Sequence, residues 1–227
     1  MQSTVIPGAV AALLLTIIAD GVLAQAPGTG SGGSCTQVIG FSQVGQQNGG
    51  WYVTGGAFEA RAGDDAWQLL WQNGASVDRW KSPDYAGWDQ ALISPCASNS
   101  DSPDRVVLSV SGPHGDDVSA WQADIEAAVA TIRQKLPSVK LIVLQAVVGA
   151  PRNSPCYRDR SVRAAWQHYP IREAIRNVVT SDSEIREGFA PLVGSCDGYR
   201  DSLGHLTADE AVVVGDKTAG YYTNSAP

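Results

Sequence analysis

An α/β sandwich on a mostly parallel sheet is the fold class predicted for this chain, and three segments carry the prediction. Lys140 to Val148 (KLIVLQAVV) is apolar almost throughout, as a strand buried on both faces of a parallel sheet must be. Arg105 to Val110 (RVVLSV) is a β-branched run bounded by Pro103 and Gly112, the composition of a strand between turn residues. Between the two, Trp121, Ile125, Val129, Ile132 and Leu136 recur at helical spacing. Val118 to Leu136 is therefore predicted as an amphipathic helix that ends at Pro137. Strand, helix and strand in that order form a parallel crossover unit.

The remaining elements follow from the same patterns. Thr36 to Phe41 (TQVIGF) is a short apolar run that stops at Ser42 and reads as the first strand. Ala66 to Gln72 (AWQLLWQ) is a second strand candidate whose spacing also suits a helix. Ile171 to Thr180 is predicted helical, and Phe189 to Val193 is predicted as a last short strand. Thr207 to Tyr222 closes the chain as a helix, with Thr207 and Glu210 in the T-x-x-E spacing of a capping box. His168 and Tyr169, just before Pro170, are read as structural or rim residues. No internal repeat is evident.

The chain has 227 residues, 44% of them apolar and 17% charged, which is ordinary globular composition rather than that of a disordered chain. The formal charge of -7 lacks the basic footprint that phosphate backbones or anionic membrane surfaces attract. Nucleic-acid binding is therefore disfavoured. Residues 1–24 read as a signal peptide: Ala9 to Ile18 is apolar, and Val22-Leu23-Ala24 offers small residues for cleavage after Ala24, with Ala26 as the alternative. The competing reading is an uncleaved N-terminal anchor, because the first basic residue is Arg61. Gln25 to Ser34 is a Pro/Gly/Ser linker, which leaves one domain over 35–227. A secreted or periplasmic monomer with no membrane span after leader removal is expected. Cys35, Cys96, Cys156 and Cys196 form no CxxC pair and His is scarce, so a zinc site is disfavoured. In an exported chain an even count implies two disulfides, with the pairing left open.

In parallel sheets the reactive groups collect at the carboxyl ends of the strands, and four such segments carry suitable chemistry. They are Gly40-Phe41-Ser42-Gln43, Asn73-Gly74-Ala75, Ser111 to Asp117 with His114, and Asp201 to Thr207 with His205. A strand-end Ser can act as nucleophile, a His can remove its proton, and a carboxylate can orient that His. Backbone N–H groups of Ser42 and Gly74 are candidate oxyanion donors. This order resembles the SGNH (GDSL-like) hydrolase family from about Thr36 to Tyr222. Gly40-Phe41-Ser42 resembles the nucleophile block, Gly74 the oxyanion glycine, and Gly204-His205-Leu206-Thr207 the final block. Phe41 stands where the family has Asp, His114 where it has Asn, and Asp201 precedes His205 by four residues instead of three. Asp197 is the reserve for Asp201.

The resemblance implies a flavodoxin-like, three-layer α/β/α sandwich and a serine esterase. Ser42, His205 and Asp201 would be catalytic, Gly74 and His114 would bind the oxyanion, and no metal or organic cofactor is required. It also implies the pairings Cys35–Cys96 and Cys156–Cys196. The expected substrate is a small ester or acylated carbohydrate, acetyl esters foremost. Trp80 and Trp88, in a cluster with Asp78, Asp84 and Tyr85 just after Gly74, are candidate sugar platforms. Packing of a long loop is the competing reading. The rival function is a catalytically impaired binding protein of the same fold. A phosphate-binding flavodoxin-like protein is the weaker third reading, since no glycine-rich P-loop is present.

Overall fold

A computed structural model describes residues 34–224; the predicted leader and almost all of the linker lie outside the described residues. Five strands form one sheet in the order β2-β1-β3-β4-β5. They are β1 (Thr36–Gly40), β2 (Trp67–Trp71), β3 (Arg105–Val110), β4 (Leu141–Ala146) and β5 (Ile185–Glu187). Every pairing is parallel. The helices are α1 (Ser42–Gly45), α2 (Ala57–Ala62), α3 (Val77–Trp80), α4 (Val118–Lys135), α5 (Pro155–Arg158), α6 (Arg163–Val179) and α7 (Ala208–Asn224).

The chain moves from β1 outward to β2, then crosses back to β3 on the other side of β1. With right-handed crossovers this reversal puts helices on both faces. Helix α2 packs against α7, while α4 packs against α6 and α3. The result is the three-layer sandwich. The central strands bury completely: Val38, Ile39, Val106, Val107 and Leu108 have no exposed surface. The AWQLLWQ segment settles as a strand because its register beside β1 buries Leu69 and Leu70.

Two elements differ from the sequence expectation. Helix α6 begins at Arg163, eight residues before Ile171, and carries Pro170 inside it. An interior proline forfeits one backbone hydrogen bond and costs ~3 kcal/mol. Here the buried stripe of Ala164, Ala165, His168, Ile171, Ala174, Ile175 and Val178 runs straight through it, and that burial outweighs the lost bond. The last strand is Ile185–Glu187, not Phe189 to Val193. Pro191 cannot donate to a ladder, so the later segment keeps only an isolated parallel bridge, Gly149 to Leu192.

Helix α7 shows half of the predicted capping box. The Glu210 N–H donates to Thr207 Oγ1 at 3.3 Å, whereas the Glu210 carboxylate turns to the N–H of Gly194 at 3.1 Å. Disulfides join Cys35 to Cys96 and Cys156 to Cys196, with Cα separations of 5.9 and 5.7 Å. The first lies at the amino end of β1, the second just before the His205 segment. Among the described residues, no helix is long and apolar enough to cross a membrane.

One buried group makes the fold sensitive to acid. His168 has no exposed surface; its Nδ1–H donates to the Val147 carbonyl at 2.7 Å, and Nε2 has no hydrogen-bond partner among the described residues. Burial lowers the ring from an ordinary 6.5 to about 4, only partly opposed by the Val147 bond. Between those values the unfolded chain binds a proton that the folded protein refuses, so stability falls with falling pH. The shift corresponds to about 3 kcal/mol lost between neutrality and pH 4. Denaturation midpoints measured across that range should show the decline, and His168→Gln should flatten it.

Candidate active site

The reversal of strand order between β1 and β3 opens a crevice at the carboxyl ends of the strands, where such sheets bind ligands. A cleft of about 470 Å³ occupies it. Ser42, Gly74, Ser111, Gly112, Gln167 and His205 are among the residues that line it. Ser42 is the first residue of α1, immediately beyond β1. Its hydroxyl hydrogen-bonds to no protein group among the described residues. Gly74 follows β2 with φ +68°, a conformation open to glycine, and a Cβ there would meet nothing within 4 Å. Neither the Ser42 nor the Gly74 N–H is taken by a protein acceptor among the described residues, so both remain available to a ligand oxygen.

His205 and Asp201 share one tight loop. The loop is closed by the Tyr199–Leu206 antiparallel bridge, by the Arg200 N–H to the His205 carbonyl at 2.8 Å and by the Thr207 N–H to the Gly198 carbonyl at 2.9 Å. Within it, Asp201 Oδ2 meets His205 Nδ1 at 2.6 Å. Asp201 Oδ1 accepts the N–H groups of Leu203, Gly204 and His205 at 3.0, 3.1 and 3.2 Å. The extra residue between Asp201 and His205 is absorbed by this turn, helped by Gly204 at φ +99°. Burial alone would push the Asp201 carboxyl up, but the bonds from His205 and the loop N–H groups outweigh it and hold the carboxyl below its ordinary value. An ionised Asp201 fixes the ring with Nδ1–H toward it and leaves Nε2 as the basic nitrogen. Asp201, rather than Asp197, is the carboxylate that meets this ring. Ser42 and His205 face the same cleft without a direct hydrogen bond between them, a looseness common before substrate binds.

Three predicted substrate contacts lie elsewhere. His114 Nε2 meets Asp124 Oδ2 at 2.7 Å, and the Lys81 ammonium holds the other oxygen of that carboxylate at 2.6 Å. This correction has a simple cause: the α4 carboxylate captures the imidazole and draws it away from the cleft. Trp80 is fully buried, with its Nε1–H on the Ala75 carbonyl at 3.1 Å. Trp88 packs edge-on against Trp80 at 5.0 Å and bonds the Ser82 carbonyl at 2.9 Å. Neither indole lines the cleft; both fasten the segment after α3 to the body.

Sequence reasoning gave no role to Gln43, which the structure makes a hub. It is buried beneath Ser42; its Oε1 accepts the Val148 N–H at 2.9 Å and its Nε2–H donates to the Gly204 carbonyl. One side chain thus ties the Ser42 helix to the end of β4 and to the His205 loop. Only its place right after Ser42 signalled this. Gln43→Leu leaves both backbone groups buried without partners, at about 1–3 kcal/mol each. A stability loss of roughly 2 kcal/mol or more in chemical denaturation is expected.

No protein-family model matches the sequence, and neither does any curated protein. Solved structures do. An active-site mutant of a family two carbohydrate esterase from Clostridium thermocellum aligns at 10% identity with a TM-score of 0.56, covering 85% of this chain and 64% of that one. This chain therefore spans less than two thirds of that protein. A carbohydrate esterase family 3 structure from Talaromyces cellulolyticus aligns at 10% identity and TM-score 0.53, covering 85% and 97% of the two chains. A carbohydrate acetylesterase from Sinorhizobium meliloti aligns at 12% identity and TM-score 0.51, covering 85% and 99%. Identity this low speaks to architecture alone: the chain shares the fold of these esterase structures.

Proposed function

We propose that this protein is an exported serine esterase that removes small acyl groups, acetyl foremost, from carbohydrate. The observation that carries the reading is that His205, joined to Asp201 at 2.6 Å, lines the same cleft as Ser42. In the proposed reaction Ser42 Oγ attacks the ester carbonyl as His205 Nε2 takes its proton. Asp201 stabilises the imidazolium that forms. The oxyanion receives the N–H groups of Ser42 and Gly74, and the Asn73 carboxamide is a further donor on that wall. His205 then protonates the departing alcohol, leaving an acyl-Ser42 ester. Water attacks that ester with His205 again as base, and acetate and free Ser42 result.

The carbohydrate assignment draws on the neighbours, one of which was solved in complex with cellohexaose. Two disulfides among the described residues favour an oxidising destination. The missing Ser42–His205 hydrogen bond favours the rival reading, a non-catalytic binding protein. A fluorophosphonate probe separates the two. Covalent labelling of the wild type that vanishes in Ser42→Ala and falls sharply in His205→Ala supports the esterase. A wild type that resists the probe refutes it.

A further inference from the structure

Charge in the cleft runs opposite to charge on the chain. The chain carries a formal -7, and its arginines are largely engaged. Arg133, Arg160, Arg172 and Arg176 hold carboxylates, and Arg105 lies over the Trp67 ring. Among the described residues, only the side chains of Arg79, Arg158 and Arg163 make no hydrogen bond, ion pair or ring contact. Two of these three, Arg79 and Arg163, line the cleft. Asp78 is the one carboxylate beside them there, and it accepts the Ser76 hydroxyl rather than an arginine. The cleft therefore carries more positive than negative side-chain charge.

The two arginines reach the cleft from different walls. Arg79 belongs to α3, on the Gly74 side, and Arg163 opens α6, whose first N–H donates to the Ser202 carbonyl of the His205 loop at 2.8 Å. Arg163 also sits against local electrostatics. A cation in the first turn opposes the helix dipole, and that turn carries no acidic residue to offset it. Local rules broken without compensation mark residues kept for function.

We infer that the cleft binds an acylated carbohydrate bearing a negative charge, with Arg79 and Arg163 as its anion-binding residues. The inference rests on the esterase reading of the same cleft and names its substrate class. A guanidinium presents a planar fork of donors that suits a carboxylate or a sulfate. A positive cleft in an acidic protein also concentrates such a substrate while the rest of the surface repels it. A uronic acid carboxylate and a sulfate ester supply the same chemistry.

Calorimetric titration of the Ser42→Ala protein tests this without turnover. The probes are an acetylated oligogalacturonide, the same oligomer with its carboxylates methyl-esterified, and an acetylated, sulfated neutral oligosaccharide. At least one charged probe should bind tenfold or more tighter than the methyl ester, and the tighter of the two names the anion. Adding Arg79→Gln and Arg163→Gln should erase that preference without lowering the melting temperature. Equal affinity for charged and uncharged probes, no binding of any probe, or a preference that survives both substitutions overturns the inference. Hydrolysis of p-nitrophenyl acetate by the wild type reports separately on the esterase reading. Turnover without charge preference removes only the anion site, whereas charge preference without turnover removes the esterase.

Discussion

Ser42→Ala should lower any hydrolysis of p-nitrophenyl acetate on the order of 10⁵- to 10⁶-fold, the loss expected if Ser42 is the nucleophile of a concerted unit. The expectation follows from position. Ser42 is where β1 ends and α1 begins, and no protein group competes for its hydroxyl among the described residues. His205→Ala should cost nearly as much, because Oγ then lacks a proton acceptor in the cleft. The double variant should be scarcely slower than either single one, since removing one member already disables the unit. Steady-state rates for the three variants check this. Wild-type turnover retained by Ser42→Ala would sink the mechanism.

Loss of the Cys156–Cys196 bridge should lower stability and activity together. The bridge spans 40 residues, and closing such a loop in the unfolded chain is worth about 4 kcal/mol on the chain-entropy account. It also starts the segment that carries Asp201 and His205. The Cys156→Ala/Cys196→Ala protein should therefore lose activity under conditions where it is still folded. The other bridge is a built-in control. Cys35–Cys96 spans 61 residues at the amino end of the sheet, away from the cleft. Its removal should cost about as much stability while kcat holds. Denaturation curves and kcat for both double variants decide the matter, and equal effects on kcat would show that the second bridge does not serve the loop.

The architecture was legible because continuous apolar strands and amphipathic spacing are local signals. KLIVLQAVV could only be a buried strand, and Trp121 to Leu136 only a helix face. The first turns of α6 were missed because the buried stripe that carries them runs through Pro170, which local rules disfavour inside a helix. At the site, strand-end position marked Ser42, Gly74 and His205, and the structure gathers them on one cleft. It could not mark His114, because the decisive Asp124 reaches it from another element, and the competing pull is invisible in a linear order. Trp80 and Trp88 failed as platforms for a related reason. Indoles serve cores and ligands alike, and only burial tells them apart. Gln43 and the two free arginines were passed over because their meaning lies in which partners they have, or lack, across the fold.

The contact from Gln43 to Gly204 bridges 161 positions of sequence, and that distance has a consequence for folding. Ser42 follows the first strand, whereas His205 follows the fifth. Contacts of such separation form late because the intervening loop must first be ordered. The pairing of the Ser42 helix with the His205 loop is therefore among the last features that folding completes.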